Sequence, residues 1–283
     1  LNQEKNIQFF RDKHSTKEGT WGKLTAHEGT IEFAYLNGHG EKLSQQTVNP
    51  NLPTLIIPPG SWHKLIDTSA EFKATLQFCC QPHRYFEKKY HLAPIHQDLW
   101  TIHQNYLRER EKMSVLDVGC GSGRNPLTFA LTGHRVMGID KNEEAIKQIN
   151  HIATQEGLTN IETLIQDLNQ PHNIDTKHFD FIYSTVALQL LNPGSVPLLL
   201  TKLQSLTSTA GMHYLVFPIK AEIYDYPQSF TYLPESEELY HFYQDSGWSI
   251  LEYKERPGQL HKLDDNGKPK QGIFAHLLAQ KHL

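Results

Sequence analysis

The sequence has few cysteines, no long apolar run and no excess of basic residues. Its three cysteines, Cys79, Cys80 and Cys120, are too few and too irregularly spaced for a disulfide framework, which indicates a reducing compartment. No apolar run approaches the roughly 18–20 residues that cross a membrane. Residues 1–5 are polar and lack the apolar stretch of a secretory signal. We therefore expect a cytoplasmic protein that contacts no membrane.

Charge and length narrow the class of protein further. The 283-residue chain carries a formal net charge of −4. Proteins that bind nucleic acids through the phosphate backbone are usually basic, so we expect no nucleic-acid partner. With 38% hydrophobic residues the chain has enough apolar material for a core. At roughly 100–200 residues per domain, the length fits two unequal domains.

Residues 1–82 predict a small all-β domain. Runs rich in β-branched and aromatic residues are interrupted by turn signals. Short strands at this spacing are typical of a small sandwich or barrel. The predicted strands are residues 21–26, 30–36, 54–57 and 72–80.

From residue 94 onward the sequence alternates between strands and helices, with residues 83–93 as the connection. This alternation favours βαβ crossovers and a mostly parallel sheet. The last two apolar runs flank a turn signal at 264–267, which predicts an antiparallel edge. The predicted helices are residues 94–110, 124–132 and 142–156, and the predicted strands are 114–118, 134–140, 161–165, 179–183, 248–256 and 272–281.

A glycine-rich turn lies between the first of these strands and the helix that follows it. Gly119, Gly121 and Gly123 allow positive φ and a close approach of a ligand to the backbone. The N-terminus of the following helix presents unpaired N–H groups. Asp140 ends the next strand, 21 positions after Gly119, close to the ~20 at which an acidic residue meets ribose hydroxyls. The pattern predicts either a dinucleotide or S-adenosylmethionine as the cofactor.

Asp117 favours S-adenosylmethionine over a dinucleotide. A carboxylate two residues before the first glycine would repel a pyrophosphate, but it attracts the ammonium of the amino-acid portion of S-adenosylmethionine. The glycine spacing is also GxGxG rather than GxGxxG. Asp167 and Leu168 follow the third strand of the α/β half, where a carboxylate can accept from the adenine amino group and a leucine can pack on the ring.

At these residues the chain resembles the class I S-adenosylmethionine-dependent methyltransferases. Residues 83–283 resemble more narrowly the tellurite-resistance methyltransferase (TehB) family. The implied fold is an α/β, Rossmann-like, mostly parallel seven-stranded sheet with an antiparallel edge. The stretches that carry the resemblance are residues 85–90, 116–125, 140–142, 167–169, 184–186, 225–227 and 258–264.

The family resemblance implies that the enzyme methylates tellurite, and also selenium oxyanions, to volatile products. It implies S-adenosylmethionine as the cofactor, residues 83–93 as a connecting segment that covers it, and a set of candidate contacts. The cofactor-binding residues expected from the motifs are Asp117, Gly119, Cys120, Gly121, Gly123, Asn125, Asp140, Lys141, Asp167, Leu168, Ser184, Tyr85, Lys89 and Tyr90.

Catalytic roles are expected for His261, Lys262 and Arg124. We expect His261 to bind or protonate an oxyanion oxygen, and the other two to add positive potential. The family often has arginine at the position of Lys262, so the charge is retained but bidentate oxyanion binding is lost. Some members also have arginine at the position of Pro94, so any role of that arginine is absent or relocated here.

Residues 1–82 resemble the small cupin-type β domain that precedes the methyltransferase in some family members. Residues 58–63 match the second cupin motif, but the first motif, with its paired metal-binding histidines, is missing. His27 and His39 are isolated in the sequence. We therefore expect a β barrel without a metal ion.

The sequence leaves two other functions open. The same fold and cofactor site would serve a methyltransferase for a small organic thiol, amine or carboxylate. They would also serve a non-catalytic module that binds S-adenosylmethionine and senses a ligand. In each case the expected partner is a small molecule or an oxyanion, and a homodimer is left open.

Overall fold

The computed structural model describes residues 7–17, 19–170, 174, 177–263 and 267–282, without the side chains of residues 261–263. The chain divides into two compact units, residues 1–85 and 86–283. The first is an all-β unit apart from short helical pieces, and the second is an α/β unit. Each has its own apolar core.

The first unit is built from two antiparallel sheets around one core. Its elements are α1 (Ile7–Arg11), β1 (His14–Ser15), β2 (Thr20–Glu28), β3 (Ile31–Leu36), β4 (Lys42–Val48), β5 (Thr54–Ile57), β6 (Trp62–Thr68) and β7 (Lys73–Cys80). One sheet has the order β1-β6-β3-β4 and the other β5-β2-β7. Leu24 and Leu55 from one sheet and Phe33 and Leu65 from the other belong to the same buried cluster. The predicted small β domain is confirmed.

The second unit contains the strand and helix alternation expected from the sequence. α2 (Pro82–Tyr90) crosses the boundary between the units. The elements that follow are α3 (Gln97–Ile102), a π-helical turn (His103–Leu107), β8 (Ser114–Val118), α4 (Arg124–Leu131), β9 (Arg135–Asp140), α5 (Glu143–Glu156), β10 (Ile161–Ile165), β11 (Phe179–Thr185), a 3₁₀ turn (Leu188–Leu190), α6 (Ser195–Ser205), β12 (Thr207–Ile219), α7 (Glu238–Asp245), β13 (Ser249–Leu263) and β14 (Pro269–Gln280).

These strands form one seven-stranded sheet with the order β10-β9-β8-β11-β12-β14-β13. The first five are parallel, whereas β14 is antiparallel to both of its neighbours. β8 lies between β9 and β11, so the strand order reverses at β8. In open sheets of this kind, ligands bind at the carboxyl ends of the strands on either side of such a reversal. The expected class I methyltransferase sheet with an antiparallel edge is confirmed.

Both faces of this sheet are covered by apolar packing. Along β8, Val115 belongs to one buried cluster and Leu116 and Val118 to the other, because successive side chains of a strand point to opposite faces. Double burial of this kind requires the nearly continuous apolar sequence seen in β8. Asp117 is the exception in that strand, and it is completely buried.

The helix predicted at 94–110 differs from the structure. α3 begins at Gln97, and the segment before it is held in a non-helical path by two contacts with the start of α4. The His96 N–H donates to Asn125 Oδ1 (3.1 Å), and Arg124 Nη1 donates to the Pro94 carbonyl (3.4 Å). These tertiary hydrogen bonds outweigh the local preference of Pro94 for a first helical turn.

Candidate active site

The glycine loop between β8 and α4 has the backbone conformation that only glycine adopts easily. The φ angles are +81° at Gly119, +50° at Gly121 and +91° at Gly123. The N–H groups of Gly119 and Cys120 donate to the Ile139 carbonyl at the end of β9, at 2.8 and 3.0 Å. The loop is therefore tied to the neighbouring strand and preformed.

The three glycines differ in the space around them, so two are needed for packing and one leaves room for a ligand. A Cβ at Gly119 would lie 2.4 Å from the Ala187 side chain, and one at Gly123 would lie 2.6 Å from Ile149. These two positions therefore need glycine for packing as well as for φ. A Cβ at Gly121 would meet nothing within 4 Å. Gly121 thus faces open space, and its missing side chain leaves room for a ligand.

Asp117 is the most unusual charged residue of the site. It is completely buried, and neither carboxylate oxygen has a hydrogen-bond partner among the described residues. Burial raises the pKa of Asp117 to about 8, partly offset by the nearby Tyr183 hydroxyl and Arg124 guanidinium. A buried carboxylate without a partner is costly. An ammonium group of a ligand would satisfy it, which fits the amino-acid portion of S-adenosylmethionine.

Asp140 holds the glycine loop from the end of β9. Its Oδ2 accepts from the Gly121 N–H (2.8 Å) and its Oδ1 from the Asn142 N–H (2.9 Å). An ionised carboxylate has about four acceptor sites, so ribose hydroxyls can still be bound. Lys141, the next residue, is exposed.

Asp167 and Leu168 follow β10, as the motif predicts. Leu168 is buried in the core of the second unit. Asp167 is exposed, and its Oδ1 accepts from the backbone and side-chain N–H groups of Asn169, both at 3.0 Å. The pair therefore combines an apolar surface with a carboxylate held by its own loop.

A cavity of about 510 Å³ lies over the glycine loop. Asn125 in its wall is buried and donates from Nδ2 to Thr185 Oγ1 (3.1 Å), which connects α4 to the end of β11. Cys120 also lines the cavity, and burial raises the pKa of its thiol, so it is not a thiolate nucleophile. The lining residues are His91, Leu92, Ala93, Gly119, Cys120, Gly121, Ser122, Arg124, Asn125, Gln148, Thr185 and Val186.

Of the fourteen expected cofactor contacts, Gly119, Cys120, Gly121 and Asn125 line this cavity and the other ten do not. Four of those ten have contacts or positions elsewhere in the fold. Ser184 is completely buried and donates from Oγ to the Val118 carbonyl (2.8 Å), so it links β11 to β8. Lys89 pairs with Glu156 at the end of α5 (2.7 Å), and the Tyr90 hydroxyl donates to the same carboxylate. Tyr85 belongs to the first unit. The segment that does reach the cavity is residues 91–93, directly after α2.

A second cavity of about 710 Å³ adjoins the first. Arg124 and Val186 line both cavities and so lie where the two meet. The remaining wall comes from α3 and the three residues before it, from the 3₁₀ turn, from β12 and the segment that follows it, and from β13 and β14. Its apolar part includes Phe230, Leu260 and Phe274.

Val186 has a strained backbone at this junction. Its φ is +58°, in the left-handed region that β-branched residues avoid. Its N–H donates to the Val216 carbonyl and its carbonyl accepts from Gln189 Nε2, both at 2.8 Å. Strain of this kind, roughly 1–3 kcal/mol, persists only where the surroundings enforce it, and it is concentrated at functional sites.

The structure describes the side chain of only one of the three expected catalytic residues. Arg124 lines both cavities, and burial lowers the pKa of its guanidinium. His261 and Lys262 directly follow Leu260 of the second cavity along β13, but their side chains lie outside the described residues. Their expected roles remain predictions.

The sequence motifs did not indicate three charged or polar residues of the second cavity. Asp98, Arg256 and His276 line it and contact one another. They lie up to 178 positions apart on α3, β13 and β14, in no motif. No local sequence pattern connects residues so far apart.

The segment between β12 and α7 is bound to the sheet. The Tyr226 hydroxyl accepts from the Ile273 N–H (3.0 Å). The Tyr226 ring packs on Gly272, where an added Cβ would lie 2.7 Å from the ring carbon Cε1. The Thr231 N–H donates to the Gln189 carbonyl (2.8 Å). This segment is therefore part of the cavity wall.

The described residues were also compared with what a metal site and a membrane span require. Within the described part of the chain, no group of three or more His, Cys, Asp or Glu residues could hold a metal ion. His63 of the cupin-like motif is buried, with its Nδ1 2.8 Å from the Ser61 carbonyl oxygen. Among the described residues, no helix combines the length and apolar character needed to cross a membrane.

Comparison with known proteins identifies the family. Residues 78–278 match the family described as tellurite resistance protein TehB, and residues 2–76 match the TehB-like domain. A Haemophilus influenzae (strain 10810) protein named probable S-adenosyl-L-methionine-dependent methyltransferase TehB is 36% identical over 278 residues, which covers 98% of this chain and 94% of that protein.

Solved structures agree with this assignment. The crystal structure of TehB from Haemophilus influenzae has a TM-score of 0.88 and 34% identity, and the match covers 99% of this chain and 95% of that one. The YcgJ protein from Bacillus subtilis, with a TM-score of 0.53 at 15% identity, matches 66% of this chain and 100% of its own, which shows the fold alone. Together with the glycine loop and the buried Asp117, these matches show that the chain belongs to the TehB family and is a methyltransferase that uses S-adenosylmethionine.

Proposed function

We propose that this enzyme methylates tellurite, and selenite as a related oxyanion, in the second cavity. The observation that carries the proposal is that Arg124 and Val186 line both cavities. An acceptor in the second cavity would therefore lie beside a guanidinium group and next to the cofactor site. The first unit and the segment 83–93 keep the roles proposed from the sequence, a β domain and a connection that covers the cofactor.

The chemistry requires alignment more than acid–base assistance. Bound S-adenosylmethionine supplies a methyl group on a positively charged sulfur. The lone pair of Te(IV) forms the new Te–C bond, while the electron pair of the broken S–C bond stays on sulfur. No proton, oxidant or reductant enters this first transfer. Conversion to volatile methylated tellurium additionally needs a reductant, such as a thiol, from outside the site.

The protein contributes a preformed cradle on each side of the reaction. Asp117 and Asp140 would hold the ammonium and ribose groups of the cofactor. Arg124, with His261 and Lys262 on β13 as further candidates, would compensate the charge of the oxyanion. Alignment of two reactants in this way is worth roughly 7–11 kcal/mol of the barrier.

One observation favours an organic acceptor as a second candidate. The second cavity holds about 710 Å³ and has an apolar wall that includes Leu190, Phe230, Leu260 and Phe274. A small organic thiol or carboxylate would use that wall, whereas a bare oxyanion would not. The fold and the cofactor site would serve both acceptors equally.

A methyl-transfer assay on the purified full chain tests these functions. We expect release of S-adenosylhomocysteine to depend on tellurite or selenite. Release with organic thiols or carboxylates but with neither oxyanion would contradict the first proposal and support the second. Tight binding of S-adenosylmethionine without turnover on any acceptor would instead support a sensing module.

A further inference from the structure

A charged cluster lies in the wall of the second cavity, and the cofactor site does not use it. The cluster consists of Asp98 on α3, Arg256 on β13 and His276 on β14. His276 pairs in register with Val216 of β12, which in turn pairs with Thr185 at the end of β11. This register brings the cluster to the carboxyl edge of the sheet, where the glycine loop also lies.

The hydrogen bonds within the cluster fix the protonation state of His276. Arg256 donates from Nη2 to Asp98 Oδ2 and from Nε to His276 Nε2 (3.2 Å). A guanidinium only donates, so Nε2 must be the unprotonated ring nitrogen. The proton then lies on Nδ1, which is 3.3 Å from Asp98 Oδ2 and 3.1 Å from the Tyr214 hydroxyl. His276 is therefore neutral and serves as a fixed acceptor.

This arrangement orients the Arg256 guanidinium from two sides. The buried His276 imidazole holds Nε, and the Asp98 carboxylate holds Nη2. The Arg256 side chain is 47% exposed and lines the cavity. Of its five N–H groups, the described residues engage two. The remaining donors suit the paired oxygens of an anion, which the planar guanidinium binds in a bidentate manner.

The charges of the cavity agree with an anionic ligand. Its described lining carries two guanidinium groups, Arg124 and Arg256, and one carboxylate, Asp98. Arg124 lies at the junction with the cofactor cavity, whereas Arg256 contacts α3 and β14 and does not line that cavity. The two cations thus mark a near and a far position relative to the glycine loop.

We propose that Arg256 binds the anionic oxygens of the methyl acceptor, and that Asp98 and His276 are positioning residues that orient it. The ligand class is a small molecule with at least two neighbouring anionic oxygens, either an inorganic oxyanion or an organic carboxylate. This assignment rests on the proposed function in so far as the bound anion is the methyl acceptor. It adds to that function an anchor outside the family motifs.

The test compares the wild type with Arg256→Gln, Arg256→Lys and the matched control Arg135→Gln. Arg135 is an exposed arginine at the start of β9, on the edge of the sheet opposite the glycine loop. We expect Arg256→Gln to raise KM for tellurite by roughly 10–100-fold, the loss of one charge-assisted contact. The Kd of S-adenosylmethionine, measured by calorimetry, should change by less than about twofold. Arg256→Lys, which keeps the charge without the fork, should be intermediate, and Arg135→Gln should match the wild type.

Two thiols identify the anion when the acceptor is organic. Mercaptoacetate carries a carboxylate and 2-mercaptoethanol does not, so wild-type KM should favour mercaptoacetate and Arg256→Gln should lose that preference. Equal KM values in Arg256→Gln and Arg135→Gln for every acceptor that the wild type methylates would overturn the assignment of Arg256.

A binding measurement separates this outcome from failure of the proposed function. Tellurite should raise the Tm of the wild type saturated with S-adenosylhomocysteine, and not that of Arg256→Gln. If the wild type shows this shift but releases no product from tellurite, the anion site stands and tellurite methylation fails. If neither the shift nor any KM depends on Arg256, the anion site itself is refuted.

Discussion

The two adjoining cavities of the α/β unit differ in the origin of their walls. The cavity over the glycine loop takes half of its lining residues from one short stretch, residues 119–125, whose shape depends on the backbone conformation of its glycines. The second cavity collects side chains from α3 to β14, between residues 94 and 276. The first cavity is therefore encoded in large part by a local motif, whereas the second exists only after the sheet has assembled.

Removal of the Asp117 charge should have the largest effect, and it should be confined to the cofactor side. We expect Asp117→Asn to weaken S-adenosylmethionine binding by roughly 100-fold, since a desolvated ion pair with the ammonium is lost. The measurement is calorimetric titration. The matched control is Asp245→Asn, at the exposed end of α7, which should bind like the wild type.

The same variant should make the ligand-free protein more stable. The folded pKa of Asp117 is raised to about 8, so its carboxylate destabilises the fold above its unfolded pKa of about 4. Asp117→Asn should therefore gain up to about 4 kcal/mol in the free energy of unfolding at pH 7, and this gain should vanish near pH 4. A loss of stability at pH 7 would show that Asp117 is paired in the ligand-free protein.

The pH dependence of cofactor binding gives a second measure of the same group. A cationic ligand favours the ionised carboxylate, so binding must release the proton that Asp117 carries below its pKa of about 8. Affinity should then rise between pH 6 and 7.5 by up to about tenfold per unit. Asp117→Asn should show a flat profile over this range, and a flat wild-type profile would contradict the raised pKa.

Gly121→Ala should show whether Gly121 is needed to leave room for the cofactor or only for its backbone conformation. A Cβ there meets nothing within 4 Å in the protein, although φ is +50°. Gly133→Ala is the matched control, because its φ is +98°, its Cβ also meets nothing, and it lies at the opposite edge of the sheet. Both variants should lose roughly 1 kcal/mol of stability, but only Gly121→Ala should weaken S-adenosylmethionine binding, by about tenfold. Equal affinities in titrations of the two would mean that Gly121 does not face the cofactor.

Substitutions at Val186 should give the smallest change in stability, and glycine should be more stable there than alanine. Val186→Gly relieves the strain at φ +58°, whereas Val186→Ala loses packing and keeps the strain. The free energy of unfolding, measured by chemical denaturation, should therefore be about 1 kcal/mol higher for Val186→Gly than for Val186→Ala. Glycine is usually the less stable of the two residues. The usual ranking, with alanine the more stable, would show that the strain is negligible.

The sequence predicts the elements around the glycine loop well because their determinants are local. The predicted strands 114–118 and 161–165 coincide with β8 and β10, and the helix at 142–156 matches α5, which Asn142 caps and Gly157 ends in a left-handed conformation. Glycine spacing and the neighbouring acids are readable without tertiary information. Asp117 and Asp140 accordingly lie at the loop as the motif requires.

The remainder depends on pairings that no local pattern shows. β4 is almost entirely polar and exposed, with only Val48 buried, and it is a strand because it pairs with β3. Lys89 and Tyr90 belong to the stretch 85–90 that carries the family resemblance, but both side chains contact Glu156 at the far end of α5. The Val186 conformation is likewise imposed by its neighbours and has no signature in the residue itself.

The reversed direction of β14 has a consequence for how this scaffold can diversify. Arg256 and His276 both belong to the final hairpin, and neither contacts the glycine loop cavity. Under the role proposed for Arg256, substitutions in this hairpin would change the methyl acceptor and leave the glycine loop unchanged. The residues that bind the cofactor would then be inherited unchanged, and a new acceptor specificity would need changes only within the roughly thirty positions of β13 and β14.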